Sequence, residues 1–179
     1  MTPTLETPRL LLLPSSLADA DQIQRIFPQW EIVQYLGSVV PWPYPPDGAL
    51  TFFRDRMLPS VERGDAWAWT IRLKSAPDQI IGAITLHRRN EKNRGFWIVP
   101  EYQRQGLMSE ACEVVTDYWF NTLKFPVLRV PKATPNIGSR RISEKQGMRM
   151  IRTEERDFVS GRYLAEIWEI TAEEWNARH

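Results

Sequence analysis

The chain has 179 residues, 42% hydrophobic and 25% charged, with a formal net charge of +1. These proportions describe a folded globular chain, large enough for one core and short for two, and they exclude nucleic-acid binding driven by bulk charge. The longest aliphatic run, Leu10 to Leu13, stops at Pro14 and is too short to span a bilayer.

No basic segment followed by an apolar one opens the chain, so no signal peptide is expected. The single cysteine excludes an internal disulfide framework and suggests a reducing compartment. One cysteine and two histidines, far apart, do not make a four-ligand zinc site. The expectation is therefore a cytoplasmic protein with one domain over residues 1–179, no metal, no membrane and no nucleic-acid partner. The even charge hides an asymmetry: residues 87–156 hold 14 Lys/Arg against 8 Asp/Glu. That stretch is either a solvated face or a receiver for a small polyanion.

Arg9 to Leu13 reads as a first strand. Ser16 and Asp19 form a capping pattern for a helix burying Leu17, Ala20, Ile23 and Ile26-Phe27. A short helix is predicted over Trp30–Leu36. Asp47 opens a third, with Leu50, Phe53 and Met57 at helical spacing. The period then becomes two, with Trp67, Trp69, Ile71 and Leu73 on one face of a strand. Ile80–His87 forms a hairpin with it, and Arg94–Val99 is a third strand. Leu107, Ala111, Val114, Val115 and Tyr118 stripe a helix. Val127–Ala133 is a strand, and Asn136–Gln146 a helix ended by Gly147. Met148–Phe158 and Tyr163–Ile170 pair across Ser160-Gly161, and Thr171 caps a last turn. Alternating helices and strands predict an α+β fold around a mixed sheet.

The stretch from Gly95 to Ala111 carries the chemistry. A strand ends, a polar turn follows and an apolar-striped helix begins near Leu107. The first backbone N–H groups of such a helix lack intrahelical partners and lie at its positive end, so they suit an anion. Gly106 allows close approach, Arg104 adds charge and Ser109 a hydroxyl. A pyrophosphate fits; a plain strand-to-helix turn is the alternative. A nucleotide-binding loop of the Lys-Ser/Thr type is disfavoured, because no such pair follows Gly106.

This segment resembles the acetyl-CoA signature of the GNAT superfamily of N-acetyltransferases, Gln/Arg-x-x-Gly-x-Gly/Ala. Gln103 and Gly106 match its fixed places and Met108 departs. Ser109-Glu110-Ala111, Leu5 to Leu10, Ile81-Gly82, Asn136 with Ser139, Glu144-Lys145 with Gly147, Gly161-Arg162-Tyr163 and Glu174-Trp175 resemble the ribosomal-protein N-terminal acetyltransferase branch, over about residues 4–175. The resemblance implies a mostly antiparallel mixed sheet splayed into a V, with helices on both faces. It implies acetyl-CoA as cosubstrate, held by Ile98, Val99, Gln103, Arg104, Gln105, Gly106, Leu107, Met108, Ser109, Asn136 and Ser139. Ile98 and Val99 would offer backbone groups to the pantetheine, with a bulge near Ile98 aiming an N–H at the thioester.

The implied reaction is direct attack of a primary amine on the thioester in a ternary complex. The amine sits on a protein N-terminus or on a small molecule. Other members place a Glu and a Tyr at the positions that hold Arg129 and Ser143 here, so that pair does not carry over. Ser139, with Asp157 or Glu155, is the implied catalytic set; helix capping and solvated charges are their plainer roles. Trp42, Tyr44 and Trp97 are the expected acceptor wall. His87 reads as a strand end and Cys112 as a small core residue. A non-catalytic acyl-CoA-binding domain is the alternative to the enzyme. Eight tryptophans leave apolar surface for a possible homodimer.

Overall fold

The computed structural model describes residues 1–89 and 91–178. Among the described residues, eight strands form two sheets. The first runs β1 (Leu5–Glu6), β2 (Leu10–Pro14), β3 (Ala66–Leu73), β4 (Gly82–His87) and β5 (Arg94–Ile98), all antiparallel. The second contains β6 (Val127–Ala133), β7 (Arg149–Phe158) and β8 (Gly161–Thr171), with β8 in the middle. The α+β fold with a split sheet is the one expected.

The split lies between β5 and β6. Their starts are clamped together: Asn93 N–H donates to the Arg129 carbonyl at 2.9 Å, and Arg129 N–H donates to Asn93 Oδ1 at 2.8 Å. Beyond this clamp no ladder joins the two strands among the described residues. The opening is therefore a V with Asn93 at its closed end.

Period-two alternation decides what covers each face. On β3, Trp67, Trp69 and Ile71 point to one side. Trp69 meets Tyr118 edge-on at 5.7 Å, just beyond α5 (Leu107–Asp117). Ala66, Ala68 and Thr70 point to the other side, toward α1 (Ala20–Ile26), α2 (Trp30–Val33), α3 (Gly48–Phe52) and α4 (Leu58–Glu62). A π-helical turn over Phe53–Met57 joins α3 to α4 and shifts the period, so Phe53 and Met57 are buried while Leu50 is exposed. Pro59 falls in the first turn of α4, directly after the π-helical turn.

The Ser16–Asp19 capping box forms, but Leu17 is exposed rather than buried. The Asn136 side chain caps α6 (Ile137–Lys145), and Thr171 with Glu174 boxes α7 (Ala172–Asn176). The short strand β1 escaped the sequence pattern, because two residues carry no period. No described helix is long and apolar enough to cross a membrane.

Candidate active site

The loop after β5 has the shape expected of an anion site. Arg104 has φ 61° and Gly106 φ 76°, both in the left-handed region that favours glycine. The first intrahelical bond of α5 runs from Glu110 N–H to the Gly106 carbonyl at 3.1 Å. The N–H groups of Leu107, Met108 and Ser109 are thus left over at the positive end of an 11-residue helix. Gln103 to Gly106 are exposed, and Arg104 makes no hydrogen bond or ion pair among the described residues. Ser109 and Gly106 line a small cleft of about 240 Å³ with Arg9 and Lys145.

The side chains of Leu107 and Met108 are buried in the main core. Only their backbone is left to face the turn, so a Met side chain where the signature has Gly or Ala does not enter it. Gln105 Nε2 donates to the Glu101 carbonyl at 3.1 Å and only shapes the loop.

The register of β5 corrects two expectations. Val99 N–H donates to the Ile81 carbonyl at 2.9 Å, and His87 N–H to the Asn93 carbonyl at 2.8 Å. Odd-numbered residues of this stretch therefore face β4 and even-numbered ones face the V. Val99 is committed to the sheet and offers nothing to a ligand. The outward backbone groups belong to Phe96 and Ile98, and Gln103 Nε2 already occupies the Ile98 carbonyl at 3.1 Å. The pairing is unbroken, so the expected bulge near Ile98 is absent.

Ser139 is buried, and Asn136 Oδ1 accepts its N–H at 3.4 Å. Its hydroxyl accepts a 2.6 Å bond from Lys132 Nζ. Ser143 and Gln146 continue the same buried stripe of α6. Facing them, Arg94 Nη1 donates to Thr116 Oγ1 at 2.6 Å and to Gln146 Oε1 at 2.7 Å. Among the described residues four buried atoms here lack partners: Arg94 Nε and Nη2, Ser143 Oγ and Gln146 Nε2. They lie beside Arg94 at the closed end of the V, sealed from solvent; the part open to an amide-bearing arm such as pantetheine is the unpaired backbone edge at Phe96 and Ile98.

Glu155 and Asp157 do not join Ser139. Both are exposed on β7 and bonded to Arg162 at 3.3 and 3.0 Å. Neither lines the 240 Å³ cleft or the large cavity on the other face, and neither reaches Ser139, so the catalytic set expected of them is not assembled.

On the opposite face lies a cavity of about 830 Å³. Its floor is made of small residues, Ala68, Ala83, Thr85 and Gly95, and its walls include Phe27, Tyr44, Phe53 and Trp97. Tyr44 meets Phe27 edge-on at 5.1 Å, and burial pushes its phenol pKa up. Its ring lies so close to α3 that a Cβ on Gly48 would fall 2.6 Å from it. Trp42 is displaced from the expected wall. It packs on Trp30 at the surface, ring centres 5.7 Å apart, outside the cavity lining.

Two residues were missed by sequence reasoning, and a third, His87, was read only as a strand end. His87 shares the cavity face with Thr85, two residues before it on β4. Burial, aided by Arg89, holds its pKa below the ordinary value. Lys132 and Arg94 were counted only as part of the basic stretch 87–156. The available signal was alternation: Lys132 follows Leu128 and Val130, and Arg94 precedes Phe96 and Ile98, on inward-facing positions. Cys112 is buried and its thiol pKa is pushed up by burial, as fits a core residue.

A strand edge open to an amide-bearing arm, a helix start with unpaired N–H groups and a separate cavity are the parts an acyl-CoA-dependent transferase needs. Residues 9–149 match the family described as "Acetyltransferase (GNAT) domain", and the chain belongs to it. It is an acetyl-CoA-dependent acyltransferase that moves an acetyl group to an amine. The chain is 29% identical over 157 residues to the "Uncharacterized N-acetyltransferase YoaA" of Bacillus subtilis (strain 168), covering 82% of this chain and 83% of that one. Its fold is similar to the ribosomal-protein-S5-alanine acetyltransferase of Vibrio fischeri, with a TM-score of 0.81 at 14% identity over 97% and 98% of the two chains. It is also similar to RimL, a ribosomal L7/L12 alpha-N-protein acetyltransferase solved with coenzyme A. That TM-score is 0.80 at 12% identity over 94% and 98% of the chains.

Proposed function

We propose that acetyl-CoA enters the V from the α5–α6 side while a primary amine with an apolar or flat body enters the 830 Å³ cavity. One observation carries this reading. Trp97 lines the cavity, while the neighbouring Phe96 and Ile98 turn their backbone edges into the V. The two partners thus reach β5 from opposite sides, which suits direct attack in a ternary complex.

Ile98 N–H is the group aimed to stabilise an oxyanion on the thioester carbonyl; losing such a donor typically costs ~3 kcal/mol of transition-state stabilisation. Arg104, Ser109 and the N–H groups of Leu107 to Ser109 hold the pyrophosphate. The likeness to ribosomal-protein acetyltransferases makes a peptide N-terminus the first acceptor to try, with the protein working in the cytoplasm as a single unit. The aromatic cavity wall favours an apolar residue next to that amine.

The test is calorimetric titration with acetyl-CoA, with ATP and NAD as controls, then thiol release with a panel of N-terminal peptides and small amines. Selective micromolar binding, about −8 kcal/mol, and amine-dependent thiol release are expected. Binding without release by any amine would favour a non-catalytic acyl-CoA-binding domain.

A further inference from the structure

Lys132 is a buried amine with no carboxylate partner among the described residues. Its Nζ donates to Ser139 Oγ at 2.6 Å and lies 4.6 Å from the centre of the Phe96 ring. Lys132 belongs to β6 and Phe96 to β5, so the ammonium spans the gap of the V. Glu166 stands opposite on β8 but is held by Arg140 of α6, at 2.6 and 3.2 Å. From β5 comes Arg94, a second buried cation, and from α5 the buried Cys112 thiol. Ser139 and Ser143 of α6 are uncharged. An apolar side chain would fill this place at lower cost, since an uncompensated buried charge is expensive. The charge therefore points to a task.

Resting on the acetyltransferase reading, we propose that Lys132, acting through Ser139, returns a proton to the CoA sulfur as the thioester breaks. The amine lone pair forms the new C–N bond, and the carbonyl electrons move onto oxygen. When the carbonyl re-forms, the C–S bond breaks and sulfur leaves with both electrons. Ser139 Oγ–H gives its proton to sulfur, and Lys132 Nζ–H replaces it. The new amide nitrogen releases its surplus proton to water, and Lys132 is reprotonated from water. The products are an amide and a thiol.

The side of the sheet selects this role. Lys132 stands with α5 and α6 and does not line the cavity that receives the amine. It therefore serves the leaving group. Burial, with Arg94 adding to it, lowers its pKa to about 7. That makes it a stronger acid than an ordinary thiol of pKa about 8.5, so transfer to sulfur runs downhill.

Acetyl-CoA with hydroxylamine, a small amine nucleophile, tests the proposal without a known acceptor. Calorimetry gives the acetyl-CoA Kd of the wild type, Lys132→Met and Ser139→Ala, and thiol release is followed against pH at saturating acetyl-CoA. In the wild type kcat should fall as pH rises through about 7, where Lys132 loses its proton. Lys132→Met should keep the Kd within a few-fold, lose about a hundredfold in kcat at pH 6.5 and lose that limb of the profile. Ser139→Ala, which breaks the relay, should lose kcat likewise. If Lys132→Met does not fold, Lys132→Gln carries the same comparison. An unchanged kcat and pH profile in the Lys132 variant would overturn the role of Lys132 and leave the acetyltransferase reading standing. A folded wild type that binds no CoA would overturn that reading instead.

Discussion

Arg9 and Glu110, 101 residues apart, join the opening strands to the start of α5: Arg9 N–H and Nε each donate to the Glu110 carboxylate at 2.9 Å. Thr7 Oγ1 donates to the same carboxylate, and Arg9 Nη1 reaches the Gln105 carbonyl at 3.0 Å. The turn between β1 and β2 is thus tied to the loop proposed to hold the pyrophosphate. Burial raises the pKa of Glu110, but the Thr7 and Arg9 hydrogen bonds outweigh it and hold the group below its ordinary range. Its stabilisation is present above the unfolded carboxylate pKa and lost as pH falls through the lower folded value. Glu110→Gln should cost about 1–2 kcal/mol, discounted for the exposed Arg9. Urea unfolding at pH 7 and pH 4 checks this, and the deficit should shrink at the lower pH.

Gly106 separates strain from charge. A Cβ there meets only Arg9 Nη2, at an ordinary 3.5 Å, so Gly106→Ala pays backbone strain alone, about 1–2 kcal/mol for a left-handed residue. Gly106→Asp adds a carboxylate where the pyrophosphate is to sit. Its acetyl-CoA Kd should rise at least tenfold above that of Gly106→Ala, the equivalent of ~1.4 kcal/mol. Calorimetry on both folded variants decides it; equal Kd values would remove the anion from this loop.

Lys132 should trade stability for activity. Its folded pKa is about 7 against an ordinary 10.5, so the unfolded chain holds the proton more tightly. The penalty is absent above the unfolded value, grows as pH falls toward 7 and is complete below it. Lys132→Met should raise stability at pH 7 by about 1–4 kcal/mol. The gain, read as a difference in denaturation midpoint, should narrow from pH 7 to pH 9.5.

The acceptor wall is tested by a pair of tyrosine and tryptophan variants. Tyr44→Ala enlarges the cavity and removes an aromatic surface, so the acceptor KM should rise several-fold while acetyl-CoA affinity holds. Trp42→Ala strips a surface contact with Trp30 and should leave both within twofold, less than ~0.5 kcal/mol. A larger KM effect at Trp42 than at Tyr44 would displace the acceptor from this cavity.

His87 sets an acid limit on the fold. Burial holds its pKa below the ordinary 6.5, so it is neutral at pH 7. Its stabilisation is present above pH 6.5 and lost as pH falls through the lower folded value. The denaturation midpoint should therefore fall below pH 6.5, and His87→Gln should flatten that limb.

Much of the fold was legible because it depends on neighbours in sequence. The hydrophobic stripe from Leu107 to Val115, the alternation from Trp67 to Leu73 and the caps at Ser16, Asn136 and Thr171 are local devices, and each forms. The turn through Gln103 and Gly106 is local too, since a left-handed glycine before a helix needs no distant partner.

What the sequence by itself determined, then, was the order of elements, the glycine turn that opens α5 and the family. The tertiary structure decided which groups face the ligands. Val99 points its N–H at β4 rather than into the V because strand parity depends on the register with Ile81. Trp42 turns outward because Trp30 offers it a surface, while Tyr44 turns inward onto Phe27. Glu155 and Asp157 stay in water because β7 and β8 pair them with Arg162. Lys132 is a titratable acid only because Phe96, Cys112 and Ser139, from three other elements, close over it and exclude water. Burial and charge depend on residues far apart along the chain, and no local pattern encodes them.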